Sequence, residues 1–326
     1  MKGTLVVLLV FLFQNIGFAQ KKKVWIDTDI MIGNPKGFAA NEVDDGIALL
    51  MAIENQDKLE IKGISLITYV DYGYEVSDKL LKWYAAEEDH FLFKGADTCG
   101  NLNLENEATR VLARALKMSS LSILALGPAT NIAILLNKHP ELASKIDEVI
   151  FCAGRGPNTK FVAGLGITIM PDYNFEMDVA AFKVVLESGV KVVLAGFESS
   201  KSLFLGETDY AFLKSGNEKN KWLYQTLRPW SKRNISFYGS DGFIPYDCTP
   251  LGYLTHPQYF KTKANQPVRI IEKPNDQNGG FSHKMYLEVS EGFDSPYRCH
   301  FVYETVLGFE EEIIASLKRA TKYNNQ

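Results

Sequence analysis

Two pairs of aspartates lie near the start of the chain: Asp27 and Asp29 in the run Asp27-Thr28-Asp29, and the adjacent Asp44 and Asp45. Carboxylates gathered at one place repel, and each raises its neighbours' pKa unless a cation lies among them. Hard oxygen donors suit Ca²⁺ or Mg²⁺, so four of them converging would make a divalent-metal site. Each pair also has a plainer reading. Acidic side chains are favoured at a helix start, so Asp44-Asp45 can act as a cap. Asp27 and Asp29 can be solvated loop acids.

The surrounding elements decide between these readings. Val24-Trp25-Ile26 is a short apolar run of the kind that makes a buried parallel strand, and it leads into Asp27. Strand side chains alternate faces, which puts Asp27 and Asp29 on one side. A loop rich in Gly, Asn and Pro (Ile30–Val43) follows, and Asp44-Asp45 then opens an apolar helical run, Gly46–Ala52. Downstream, strand patterns at Leu59–Val70, Phe91–Phe93, Ser122–Leu126, Ile146–Cys152 and Lys191–Leu194 alternate with helical ones. The helices are expected at Tyr72–Ala86, Leu104–Lys117, Ile132–Asn137 (capped by Thr130-Asn131) and Asn174–Ser188. Such alternation predicts an α/β fold, an open, doubly wound, mainly parallel sheet in a single domain. In sheets of that kind ligands bind beyond the carboxyl ends of the strands, where the four acids would lie. Later the chain carries a polar helical stretch (Gly206–Lys221) and an aromatic-rich stretch (Trp222–Tyr246). Strands at Val268–Ile271, Lys284–Val289 and His300–Tyr303 and an amphipathic helix at Phe309–Ala320 complete it.

Composition narrows the function classes. With 326 residues the chain is long enough to bury a large core, and 46% hydrophobic with 23% charged residues is ordinary for a globular protein. The net charge of −4, with no basic block beyond Lys21-Lys22-Lys23, argues against nucleic-acid binding through phosphate neutralisation. Met1-Lys2, the apolar Leu5–Phe13 and the small residues Gly17 and Ala19 read as a signal peptide (residues 1–19) cleaved after Ala19. Its apolar core is short for a membrane span, so the mature domain, 20–326, is expected to be exported (periplasmic or secreted) without stable membrane insertion. The four cysteines have wide, irregular spacing that suggests neither a disulfide scaffold nor a zinc site, and are read as free thiols.

Taken together, these residues resemble the inosine–uridine preferring nucleoside hydrolase family. The family's D-x-D and D-D look like Asp27-Thr28-Asp29 and Asp44-Asp45. Its strand followed by L-T-N-I-A looks like Ala125–Ala133. Its E-F-N with a following Asp is similar to Asp172-Tyr173-Asn174 with Asp178, and its H-D-P to Tyr246-Asp247. The blocks occur in family order and cover most of the mature chain. The resemblance implies a nucleoside hydrolase with a Rossmann-like core and one Ca²⁺ held by Asp29, Asp45, Asp247 and the backbone carbonyl of Leu126. It makes Asp27 a supporting carboxylate behind the ligands. It further implies Asp29 as general base, Asp44, Asp172, Asn174 and Asp247 as sugar-binding residues, and Cys152 as a pocket wall where relatives carry Met. The substrate would be a nucleoside or related riboside, and the protein a homo-oligomer, dimer or tetramer.

The chain also departs from the pattern. Asp44 comes fifteen positions after Asp29, where the family has a short gap; the family's Glu is Asp172; and its acid His is Tyr246, either a weak acid for the leaving group or a ring that packs on it. The sugar half of the site looks intact and the base-recognition half altered, with Trp230, Phe237 and Tyr238 as stacking candidates. The five histidines match no family position and read as surface or structural. The missing acid His leaves room for a non-catalytic nucleoside- or ribose-binding protein. A strand ending in D-x-D also resembles Mg²⁺-dependent haloacid-dehalogenase-like phosphatases, which would leave Asn174 and Asp247 unexplained.

Overall fold

The computed structural model describes residues 20–33, 41–85, 91–162, 168–277 and 279–322. The expected signal peptide, the centre of the Ile30–Val43 loop, His90 and the side chains of Phe237 and Tyr238 lie outside the described residues.

β1 (Lys22–Thr28) is buried from Val24 to Thr28, as a strand covered on both faces requires. Val24 and Ile26 belong to one hydrophobic cluster and Trp25 to another, so the alternation of the strand divides the core into two layers. The chain then alternates through α1 (Asp44–Glu54), β2 (Leu59–Leu66), α2 (Val70–Tyr84), β3 (Leu92–Lys94), α3 (Glu107–Met118), β4 (Leu121–Ala125), α4 (Thr130–Lys138) and β5 (Ile146–Phe151). Next come α5 (Tyr173–Met177), α6 (Val179–Glu187), β6 (Val192–Leu194) and α7 (Phe197–Ser200). A separate two-stranded wing pairs β7 (Leu205–Gly206) with β8 (Gly242–Phe243), around α8 (Glu207–Tyr210) and α9 (Glu218–Tyr238). α10 (Cys248–Thr255), β9 (Phe260–Pro274), β10 (His283–Val289), β11 (Arg298–Thr305) and α11 (Phe309–Lys322) complete the fold.

Among the described residues the main sheet has nine strands in the order β10-β9-β11-β6-β5-β4-β1-β2-β3. It is parallel from β3 through β11, and β9 and β10 add an antiparallel edge. The chain leaves β1 toward β2 and later returns to β4 on the other side. That reversal places a crevice at the carboxyl ends of β1 and β4. Among the described residues no helix is long and apolar enough to cross a membrane, and all four cysteines are unpaired.

Several elements differ from the expected ones. The strand expected over Leu59–Val70 stops at Leu66, because Thr68 and Tyr69 take positive φ (56° and 44°) and Val70 already begins α2. The helix expected over Asn174–Ser188 is two helices, broken at Asp178, whose side chain caps α6 by accepting from the Ala181 N–H. The aromatic stretch Trp222–Tyr246 is largely α9, opened by the Asn217 cap and ended by Gly239 at φ 67°. Thr130 and Asn131 lie inside the first turn of α4 and do not cap it; their side chains serve more distant partners.

Candidate active site

A pocket of about 880 Å³, its open mouth included, lies at the carboxyl ends of β1 and β4. Asp29 lines it from just beyond β1, Asp44 and Asp45 from the first turn of α1, Leu126 from just beyond β4, and Asp247 from the entry to α10. The strand ends at Thr28, so the alternation expected to put Asp27 and Asp29 on one face stops short of Asp29. Asp27 turns away from the pocket. It accepts from the Ser65 hydroxyl and from Asn131 Nδ2 (2.8 Å), while Thr28 donates its hydroxyl to Asp45.

One carboxylate oxygen from each of Asp44, Asp45 and Asp247 lies within 4.8 Å of the others, close enough to share one ion. Asp44 thus stands among the candidate ligands, where the resemblance gave it to the sugar. Asp29 is not in that group of three, but it borders the same pocket and the field of Asp45 acts on it. The backbone N–H of Asp247 donates to Asp44 (3.4 Å), and the Cys152 thiol donates to Asp247. Behind Asp29, Gly127 leaves the carboxylate room: a Cβ there would sit 2.7 Å from Ile67 Cγ2 and 2.9 Å from the Asp29 carboxylate, and those side chains would have to shift.

The electrostatics are those of a site built for a cation. Burial pushes the Asp44 carboxyl up to about 6, against backbone N–H donors that hold it down. Burial, then the charge of Asp44, pushes Asp45 up to about 7. Asp29 and Asp247 are driven well above the ordinary carboxylate range by burial and by the other aspartates. Among the described residues no Lys, Arg or His lines the pocket, so no side chain there neutralises these acids. A hard divalent cation does so with the donors present: carboxylates and a carbonyl oxygen. The donor set fits calcium, which accepts many oxygens in irregular geometry.

Asn174 donates one amide hydrogen to the Leu126 carbonyl (2.6 Å) and the other to the Cys152 carbonyl (3.0 Å). Both its donors are thus taken, and its oxygen is left to accept from a ligand hydroxyl. Asp172 accepts from the Gly154 N–H (2.8 Å), and burial pushes it up to about 6. Cys152 borders the pocket as a protonated thiol, its pKa driven well above normal by burial and by Asp247 and Asp44, which suits a wall and not a nucleophile. Tyr246 lines the pocket, stacks on Phe197 (6.5 Å between centroids) and rests its hydroxyl on the Met170 sulfur at 3.6 Å. Trp230 of α9, Phe204 just before β7 and Phe243 of β8 add aromatic lining to the same pocket.

Three supporting groups escaped the sequence reading. Glu42, a sixth carboxylate on the pocket beside Asp29, Asp44, Asp45, Asp172 and Asp247, sits two residues before the Asp pair, and its proximity in sequence is the available signal. Asn131 uses its whole amide: it donates to Asp27 and to the Leu66 carbonyl (3.2 Å) and accepts from Ala96 N–H (2.9 Å) and Asn106 Nδ2 (3.1 Å). Thr130 donates to Asp178 (2.6 Å), which also accepts from the Gly100 N–H. Every one of these partners is remote in sequence, so no local pattern reveals them.

A model of the family described as inosine-uridine preferring nucleoside hydrolase matches residues 24–288. A probable uridine nucleosidase 2 of Oryza sativa subsp. japonica is 26% identical over 181 residues, 52% of this chain and 52% of its own length. A pyrimidine-specific ribonucleoside hydrolase RihA of Citrobacter koseri is 30% identical over 160 residues, 48% of this chain and 49% of its own. The chain thus spans about half the length of the curated relatives it matches. Among solved structures, a purine-preferring ribonucleoside hydrolase from Gardnerella vaginalis superposes with a TM-score of 0.69 at 16% identity, over 93% of this chain and 100% of that one. At that identity the likeness shows the fold.

Proposed function

Since this chain belongs to the inosine–uridine preferring nucleoside hydrolase family, we propose that it hydrolyses the N-glycosidic bond of ribonucleosides or related ribosides in a Ca²⁺-dependent reaction. The observation that carries this reading is the meeting of Asp44, Asp45 and Asp247 within 4.8 Å, beside Asp29 and the Leu126 carbonyl, at the sheet's switch point.

Asp45, Asp247, Asp29 and the Leu126 carbonyl would hold the ion, and Asp44 stands near enough to join them or to accept from a sugar hydroxyl. An ion held there would supply an anchor for the vicinal diol of a ribose and would acidify a nearby water. Asp29 takes a proton from the attacking water as general base. The buried carboxylates favour the positive charge that develops on the sugar as the C1′–N bond breaks. Asn174, with only its oxygen free, accepts from a sugar hydroxyl, and Asp172 accepts from the 5′ end. Tyr246 donates to the departing base or packs against it, and Trp230 stacks on it.

Ribose release from inosine, uridine and p-nitrophenyl riboside, each with and without EDTA, tests the proposal. The expected result is turnover that EDTA abolishes and added Ca²⁺ restores. Calcium-dependent binding without turnover would make the protein a nucleoside-binding one, and phosphate release from phosphomonoesters would replace the reading altogether.

A further inference from the structure

Arg155 is only 2% exposed, and burying a guanidinium is costly unless its partners are in place. It follows closely on the pocket-lining Cys152-Ala153; its backbone, Nη1 and ring face are held, while Nε and Nη2 have no hydrogen-bond partner among the described residues. Its backbone pairs with β10, donating to Leu287 O (3.0 Å) and accepting from Val289 N–H (2.9 Å). Nη1 donates to Asp276 (2.8 Å) and to the Thr159 carbonyl (3.3 Å), and Nη2 lies 3.9 Å from Glu176. The guanidinium stacks over Phe161, a pocket wall, at 4.0 Å, and lies 5.1 Å from the Tyr286 ring. Lys284 bridges the same two acids, 2.7 Å from Glu176 and 3.0 Å from Asp276.

What this fastening controls lies on either side of it in sequence. Gly154 N–H holds the Asp172 carboxylate at 2.8 Å, from a backbone at φ +87° that favours glycine. Gly156 N–H holds Glu198 at 2.6 Å. Asp172 is tied again through its own N–H to Glu176 (2.8 Å), one of the acids that Arg155 faces. We propose that Arg155 is a positioning residue: it fixes the Ala153–Gly156 turn and the Phe161 ring so that Asp172 is aimed at the 5′-hydroxyl of a bound riboside. The inference rests on the nucleoside-hydrolysing reading above, with its contact between Asp172 and the 5′ end, and assigns to Arg155 the positioning of that contact. The positive charge of Arg155 also opposes the rise that burial imposes on Asp172, which keeps an acceptor there.

The test compares kcat/KM for uridine and 5′-deoxyuridine, with Ca²⁺ present, in the wild type, Arg155→Met and Arg155→Lys. A hydrogen bond to an acceptor set for it separates the two substrates by about 10- to 100-fold in the wild type. Arg155→Met should bring the ratio within about 3-fold, and Arg155→Lys, which keeps the charge without the fork, should fall between. A merely structural brace would lower both substrates together and leave the ratio standing, and that result overturns the proposal. Should Arg155→Met fail to fold, Asp276→Asn loosens the same guanidinium from the surface side, and an unchanged ratio there is equally fatal. If the wild type releases no ribose from either substrate, the hydrolase reading fails by itself. The ratio is then read from calorimetric binding of D-ribose against 5-deoxy-D-ribose, where equal affinities in the wild type overturn Arg155's role.

Discussion

The two ends of the pocket differ in what they are made of and in what holds them. At the acid end, carboxylates from just beyond β1, the first turn of α1 and the entry to α10 are gathered, and three are individually gripped: Asp45 by Thr28, Asp44 by the Asp247 N–H, Asp247 by Cys152. At the other end, α9, β8 and the segment before β7 present Trp230, Phe243 and Phe204, rings that need no partner. Negative charge held out of water is unfavourable until a cation arrives, whereas an aromatic wall is content empty. On the function proposed above, the acid end would therefore specify its ligand closely, through a metal and the sugar diol. The aromatic end selects by shape and stacking, which tolerates a range of leaving groups.

If that division is right, the two ends should fail differently. Asp29→Asn should cost about 10³-fold or more in kcat while circular dichroism and melting temperature stay those of the folded protein, as loss of a general base does. Turnover near the wild-type rate would remove Asp29 from that role. Tyr246→Phe probes the seam between the ends. Steady-state kinetics should show a loss of about 10²-fold with inosine and under about 3-fold with p-nitrophenyl riboside, whose leaving group needs no proton. Equal losses would reduce the hydroxyl to packing on Met170. Trp230→Ala should raise KM for nucleosides by about 5- to 10-fold with kcat nearly unchanged, the size of one lost stacking contact. A fall in kcat larger than the rise in KM would mean that the aromatic end orients the reacting bond, and the two ends would no longer be separable.

The sequence was more legible at one end than at the other. Asp29, Asp44 and Asp45 are carboxylates at a strand end and a helix start, so type and spacing expose them, whereas Asp247 is reached only through the resemblance of Tyr246-Asp247 to the family's H-D-P. The parallel strands follow from apolar runs between helical patterns. At the aromatic end Trp230 stands out as a stacking candidate and does line the pocket, but the helix that carries it is hidden, because α9 has Pro229 inside it and rings without the spacing that marks an amphipathic helix. Thr130 and Asn131 were mistaken for caps because Ser/Thr/Asn near a helix start ordinarily satisfy the nearest N–H. Here they satisfy Asp178 and Asp27, which only the folded sheet brings near. Arg155 was invisible for the same reason: Asp276, Tyr286 and the β10 backbone reach it through long-range packing alone.

Asp44 and Asp247 stand 203 residues apart in the chain, yet one hydrogen bond joins them. A cation seated between such distant segments can engage only after both have docked, when folding is all but over. Its binding energy is then expressed as a longer lifetime of the finished protein, with little influence on how fast that protein forms.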